Sequence, residues 1–215
     1  MTTTTTTTTT NQPSISEVIR ERHSVRKYDP SVKIPREEIE EMLTEATLAP
    51  SSSNLQPWKF IVIDHQEVKK ELRQIAYNQE PVETSSAVIA VLGDKEMHKN
   101  IEKVYRSNFE AGFMDEANMH RLIESANNTY PNAPEEIRKN IASFDAGLVS
   151  MQLMLIAKAR GYDTVPMGGF DKQKFAEKFQ VSDRYMPIVL IALGKAAAPA
   201  FQTTRIPTKE IVEFI

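Results

Sequence analysis

Apolar residues recur along this chain with two spacings, and the spacing changes mark the elements. Ile15, Val18 and Ile19 fall on one helical face. Ser14 and Glu17 stand before them at capping-box spacing. This predicts a first helix that stops between Arg22 and Ser24, followed by a turn at Tyr28-Asp29-Pro30, where the residue before a proline is pushed out of the helical region. A second helix runs from Pro35 toward Pro50, with Ile39, Met42, Leu43 and Ala46 as its stripe and Glu37 and Glu38 in the first turn. Gln66 to Ala76 reads as helical. Lys95 to about Asn128 reads as polar helix carrying Tyr105, Phe109 and Phe113. Pro134, Glu135 and Glu136 open the longest helix and Gly161 closes it. From Phe144 to Ala157 that helix is apolar on nearly every side, which predicts burial all round, in a core or a subunit interface.

Four short apolar runs read as buried strands: Phe60–Ile63, Ala87–Leu92, Thr164–Met167 and Pro187–Leu193. Asp171 caps one more helix before the last of them. Past Gly194 the chain is polar and extended and ends in Ile211-Val212-Glu213-Phe214-Ile215. The expected fold class is α+β, a central sheet among helices. Residues 1–13 form a Thr-rich tail, expected to be disordered because it has no apolar periodicity, and 14–215 a single domain.

Composition narrows the function classes. The net charge is −3, which argues against a polyanion partner such as nucleic acid. There is no cysteine, so thiolate chemistry, disulfides and cysteine-held metals are excluded, and a cytoplasmic protein is expected. The seven glycines make neither a G-x-G-x-x-G nor a G-x-x-x-x-G-K pattern, so a dinucleotide would not be held in a Rossmann or P-loop cradle. The four histidines are far apart, which predicts no metal site. No apolar run approaches the length needed to cross a bilayer, and no membrane association is expected.

Five stretches carry candidate chemistry. Arg22-His23-Ser24-Val25-Arg26 places two guanidinium groups and a hydroxyl at a helix end, a donor set suited to phosphate; a solvated basic turn would look the same. Ala49-Pro50-Ser51-Ser52-Ser53-Asn54-Leu55-Gln56-Pro57-Trp58 is a donor-rich loop held between prolines. Tyr77-Asn78-Gln79 offers adjacent amides, able to read a polar ring edge or merely to end a helix. Pro166-Met167-Gly168-Gly169-Phe170 can bring bare backbone against a flat ligand or form an ordinary turn. Thr203-Thr204-Arg205-Ile206-Pro207 puts one arginine in an extended segment.

In this order, R-x-S-x-R, A-P-S-S-x-N-x-Q-P-W, Y-N-Q, P-x-G-G-F and R-x-P resemble the nitroreductase family of FMN-dependent enzymes, over the chain from about Ser14 to its end. The resemblance implies an intertwined homodimer built on a mostly antiparallel sheet. It implies that Arg22, Ser24, Arg26 and Arg205 hold the FMN phosphate and ribityl chain, with His23 lining the pocket through its backbone. Asn78 and Gln79 would meet the pyrimidine edge, and Pro166, Met167, Gly168 and Gly169 would run along the isoalloxazine. Pro50, Ser51, Ser52 and Asn54 would reach the flavin bound mainly by the other subunit. The implied reaction passes a hydride from NADH or NADPH through the flavin to nitroaromatic or quinone-type acceptors, the two substrates taking turns in one pocket. No side chain is expected to act as a catalytic acid or base. A dedicated acceptor (dehalogenation or flavin breakdown), or flavin binding without turnover, is the alternative. Gly168 stands where some members carry glutamate, and Pro81 and Thr203 where some carry lysine.

Overall fold

The structure, a computed structural model, describes residues 13–215; the threonine tract lies outside the described residues. Eight α-helices and four strands alternate along them: α1 (Ile15–Glu21), α2 (Arg36–Ala46), β1 (Trp58–Ile63), α3 (Gln66–Ile75), α4 (Glu80–Thr84), β2 (Ala87–Asp94), α5 (Ile101–Glu110), α6 (Glu116–Thr129), α7 (Glu135–Ala159), β3 (Asp163–Met167), α8 (Lys172–Lys178) and β4 (Tyr185–Gly194). The strands form one sheet in the order β1-β2-β4-β3 with every pairing antiparallel. The expected α+β class and all four expected strands are present.

Most boundaries follow from local chemistry. Ser14 and Glu17 form the expected capping box, the Ser14 amide donating to the Glu17 carboxylate at 2.7 Å and the Glu17 amide to Ser14 Oγ at 3.3 Å. Pro35 is the cap of α2 rather than its first turn, and α2 ends at Ala46, short of Pro50. Asp171 caps α8 by accepting from the Lys174 amide. Gly161 stops α7 with φ +80°. Pro166 sits on the edge strand β3, where its missing N–H costs no ladder bond. Pro187, on a central strand, faces an irregularity in the ladder between Val91 and Leu92.

Both faces of the sheet are covered. Every residue of β2 is buried, and its side chains alternate between two layers. Val88, Ala90 and Leu92 pack with Leu72, Phe175, Val25 and Tyr28. Ala87, Ile89 and Val91 pack with Ile39, Met42, Val149 and Leu153 of α2 and α7. A third cluster, with Leu55, Ile101, Tyr105 and Met119, joins α5 and α6 to Ala142 of α7.

Four expectations change. The polar stretch after Lys95 is two helices, α5 and α6, separated by a turn with Gly112 at φ +75°. The short helix α4 is not visible in the periodicity. In α1 only Val18 is buried, while Ile15 and Ile19 are exposed. Within its own chain α7 is buried along one face. Ala142, Ala146, Val149 and Leu153 are fully buried, but Phe144 is 67% exposed and Met151 40%. At 25 residues α7 is also long and apolar enough, by length and composition, to cross a membrane, contrary to the expectation for this chain. Here its buried stripe packs on β2, β3 and β4.

One buried charge deserves a stability test. Lys69 on α3 has no solvent exposure, and its ammonium donates to the Ser85 carbonyl. Burial pushes it down to about 8, from 10.5 for an ordinary lysine. Between those values the unfolded chain keeps a proton that the folded chain has released, so raising the pH through this window favours the fold. Urea unfolding should therefore show wild type gaining roughly 1–3 kcal/mol on Lys69→Met across that window. Parallel pH profiles for the two proteins would contradict the assignment.

Candidate functional site

The segment after α1 does not leave the sheet. It runs beside the outer edge of β3 and the end of β4. Ser24 bridges Thr164 in parallel, Tyr28 bridges Ala196 antiparallel, and the Val25 amide donates to the Thr164 carbonyl at 3.1 Å. The Asp29 amide donates to the Lys195 carbonyl, and the Ala197 amide to the Lys27 carbonyl, both at 2.9 Å. Val25 and Tyr28 are buried, and the Tyr28 hydroxyl donates to the Ala192 carbonyl inside the core. Gly194 permits this approach, since a Cβ there would lie 2.9 Å from the Tyr28 ring and 3.0 Å from the Ser86 nitrogen.

With Val25 and Tyr28 turned inward, the polar residues around them face outward. Arg22, His23, Ser24 and Arg26 line a pocket of about 200 Å³, closed by Phe201, Thr203 and Arg205 from the C-terminal arm. The sequence separates these two stretches widely, and the edge pairing brings them together. No carboxylate lines this pocket, and none of the three arginines makes an ion pair among the described residues. Arg205 instead donates to Thr203 Oγ1 at 2.9 Å and to the Thr204 carbonyl at 2.8 Å. Three uncompensated guanidinium groups around a small cavity form a natural anion site.

Arg26 and Phe201 are also walls of a larger cavity of about 560 Å³, lined further by Lys27, Gln79, Glu80, Pro81 and Ala198–Ala200. Here two more sequence motifs meet. Gln79 Nε2 donates to the Gly169 carbonyl at 2.8 Å and to the Ala76 carbonyl at 3.1 Å. Tyr77 and Asn78 both have left-handed backbones, φ +53° and +61°, which turns the chain sharply after α3. A Cβ built on Gly168 or Gly169 meets nothing within 4 Å, so the exposed backbone there faces open space. Pro166 is exposed, whereas the Met167 side chain is buried in the core and only its backbone is left to meet a ligand. The anion pocket and the bare glycine backbone together fit a phosphate-bearing planar cofactor such as FMN.

The Pro50–Trp58 loop is not part of either cavity. Asn54 and Gln56 line a separate polar pocket with Asn100, Lys103, Ser107 and Asn108. The loop backbone is unusual: Ser53, Asn54 and Gln56 have φ +50°, +55° and +50°. Left-handed backbone costs a non-glycine residue about 1–2 kcal/mol, least for asparagine. Ser51 Oγ accepts from the Gln56 amide, the Tyr130 hydroxyl meets Ser53 Oγ at 2.7 Å, and the Tyr105 hydroxyl donates to the Ser53 carbonyl. Asn100 Nδ2 donates to the Leu55 carbonyl, and Asn100 in turn accepts from Arg184, which is paired with the buried Asp94. Tyr105 is therefore a loop-holding core residue, while Phe113 at the α5–α6 turn is 81% exposed.

Sequence reasoning missed Phe201, which joins the two cavities, and nothing periodic in the Ala-Pro-Ala-Phe stretch announces it. It also missed Asp145. That residue did leave a signal, as the lone carboxylate in the apolar centre of α7, where a buried charge must find donors.

The chain is similar to several known proteins. The Nitroreductase family model matches residues 19–195. YdgI of Bacillus subtilis, provisionally named an NAD(P)H nitroreductase, is 44% identical over 92% of this chain and 96% of its own. The CLA biosynthesis enone reductase of Lactiplantibacillus plantarum is 35% identical over 94% of each chain. Among solved structures, a provisionally named nitroreductase of Exiguobacterium sibiricum, in complex with FMN, superposes with a TM-score of 0.91 at 44% identity, covering 94% of this chain and 98% of that one. The chain belongs to the nitroreductase family.

Proposed function

We propose that this protein is an FMN-dependent oxidoreductase that works as a homodimer, passing a hydride from NADH or NADPH to nitroaromatic or quinone-type acceptors. The observation that carries the reading is the convergence of Arg22, Ser24, Arg26 and Arg205 on one small pocket without a carboxylate. FMN, when bound, supplies the redox chemistry; the protein supplies binding, orientation and electrostatics. Arg22, Arg26 and Arg205 would neutralise the phosphate with charge-assisted bonds, and Ser24 and His23 would complete that end. Gln79 holds the Gly168–Gly169 turn through the Gly169 carbonyl. Asn78 stands beside it to meet the polar ring edge, and Gly168 and Gly169 let backbone lie against the ring face.

Two features support the dimer. Phe144 and Met151 form an outward stripe on α7, and Ile137 on the same helix is 49% exposed. Every residue from Phe201 to Ile215 is exposed, including Ile206, Ile211 and Phe214. An apolar stripe and an apolar arm that their own chain does not cover are both accounted for when a second copy packs on them. In that assembly Pro50, Ser51 and Asn54, which line neither cavity of their own chain, would reach the partner's flavin, while Ser52 gives its amide and hydroxyl to Asp145.

The visible absorption spectrum tests the reading. The purified protein, after incubation with FMN, should show flavin bands that NADH or NADPH bleaches and a nitroaromatic, quinone or enone restores. The enone is included because one relative bears that activity in its name. Flavin bands that neither nucleotide bleaches would leave a binding protein without turnover. Absence of bound flavin would reject the reading altogether.

The dimer has its own test. Phe144→Glu should shift the protein to monomer in size-exclusion chromatography and weaken FMN binding by about tenfold or more, because half of each site is lost. A dimer with undiminished FMN affinity would show that α7 is not the shared surface.

A further inference from the structure

The Ser51–Gln56 loop takes a shape that its own residues disfavour. Three of them are left-handed and none is glycine. The loop therefore depends on groups that reach it from elsewhere. The most deeply placed is Asp145, in the middle of α7 with no solvent exposure. Its two carboxylate oxygens accept from the Ser52 amide at 2.9 Å and from Ser52 Oγ at 3.3 Å.

We propose that Asp145 is the positioning residue of this loop: a fully buried carboxylate on the core helix that takes both the amide and the hydroxyl of Ser52, at the entry to the left-handed run, and thereby sets the loop for the cofactor of a second copy. The proposal rests on the flavin reading above and adds a residue to it.

A buried carboxylate is costly unless donors surround it. Ser52 supplies two, and they come from one residue. An amide that must point at Asp145 fixes the peptide plane between Ser51 and Ser52. The left-handed residues follow immediately at Ser53 and Asn54. Downstream, Tyr130 and Tyr105 fix Ser53, and Asn100 fixes Leu55. The loop is thus held from both ends against rigid helices. Ser51, Asn54 and Pro50 stay outside this clamp, with Ser51 half-buried and the other two exposed. Burial also pushes the Asp145 carboxyl above the usual range, against the Ser52 bonds, which lower it. Among the described residues, Ser52 supplies the hydrogen bonds that offset this burial. Asp145 touches no reacting atom and acts through Ser52.

Full-length Asp145→Ala and Asp145→Asn distinguish this role from plain stability. Three quantities decide it: amide hydrogen exchange in the 51–56 segment, FMN affinity by fluorescence titration, and the visible circular dichroism of bound flavin. Asp145→Ala should speed exchange in that segment, weaken FMN about ten- to hundredfold and change the dichroism of the flavin that still binds. Asp145→Asn keeps one carbonyl acceptor for the Ser52 amide and should recover most of the affinity. If Asp145→Ala does not fold, Ser52→Ala, which removes only the hydroxyl bond, should move all three readouts the same way by about threefold. Unchanged exchange, or faster exchange with wild-type FMN affinity and dichroism, overturns the proposal. Failure of the wild type to bind FMN sinks the flavin reading instead, and the exchange data still decide whether Asp145 holds the loop.

Discussion

The site depends on one interaction, the pairing of the 24–28 segment with the outer edge of the sheet. Val25 and Tyr28 anchor it in the core, and the backbone bonds to Thr164, Lys195 and Ala197 fix its register. Strand alternation then decides the rest. Because Val25 points in, Ser24 and Arg26 point out, and Arg22 and His23 follow at the end of α1. The same pairing carries the chain after Gly194 back across these residues, which delivers Phe201 and Arg205. The basic cluster is thus a consequence of an edge pairing, and the small residue at Gly194 makes that pairing possible.

A second constraint operates through α7. One face of this helix closes the sheet with Ala146, Val149 and Leu153, while the opposite stripe, Phe144 and Met151, is open. Between them Asp145 reaches the Ser52 loop. Adjacent residues, Phe144 and Asp145, therefore serve two purposes: one presents apolar surface outward and the other holds a strained loop from within. A single helix links the core, an open apolar stripe and the Ser52 loop.

Much of this was legible in the chain itself. All four strands and the ends of the longest helix follow from apolar runs, prolines and Gly161, because those signals are local. The capping box at Ser14 is local too. The basic residues of the anion pocket could be named but not joined, since Arg22 and Arg205 meet only through sheet pairing. The exposure of Phe144 could not be read, because an apolar position looks the same in the sequence whether it is buried or open. The left-handed Ser53, Asn54 and Gln56 carry no glycine to mark them; their shape is imposed by Asp145, Tyr105 and Tyr130, all distant in sequence. Pro50, Ser51, Ser52 and Asn54, named with the other candidates, line neither cavity of their own chain.

The most direct measurement of the central claim compares FMN with riboflavin, which differs only by the phosphate. Three arginines and Ser24 around one small pocket predict that FMN binds at least about a hundredfold more tightly, from two or more charge-assisted contacts. That advantage should shrink as salt is raised. Equal affinities for the two flavins in a low-salt titration would contradict the account, because the Arg22–Arg205 pocket would then hold no phosphate.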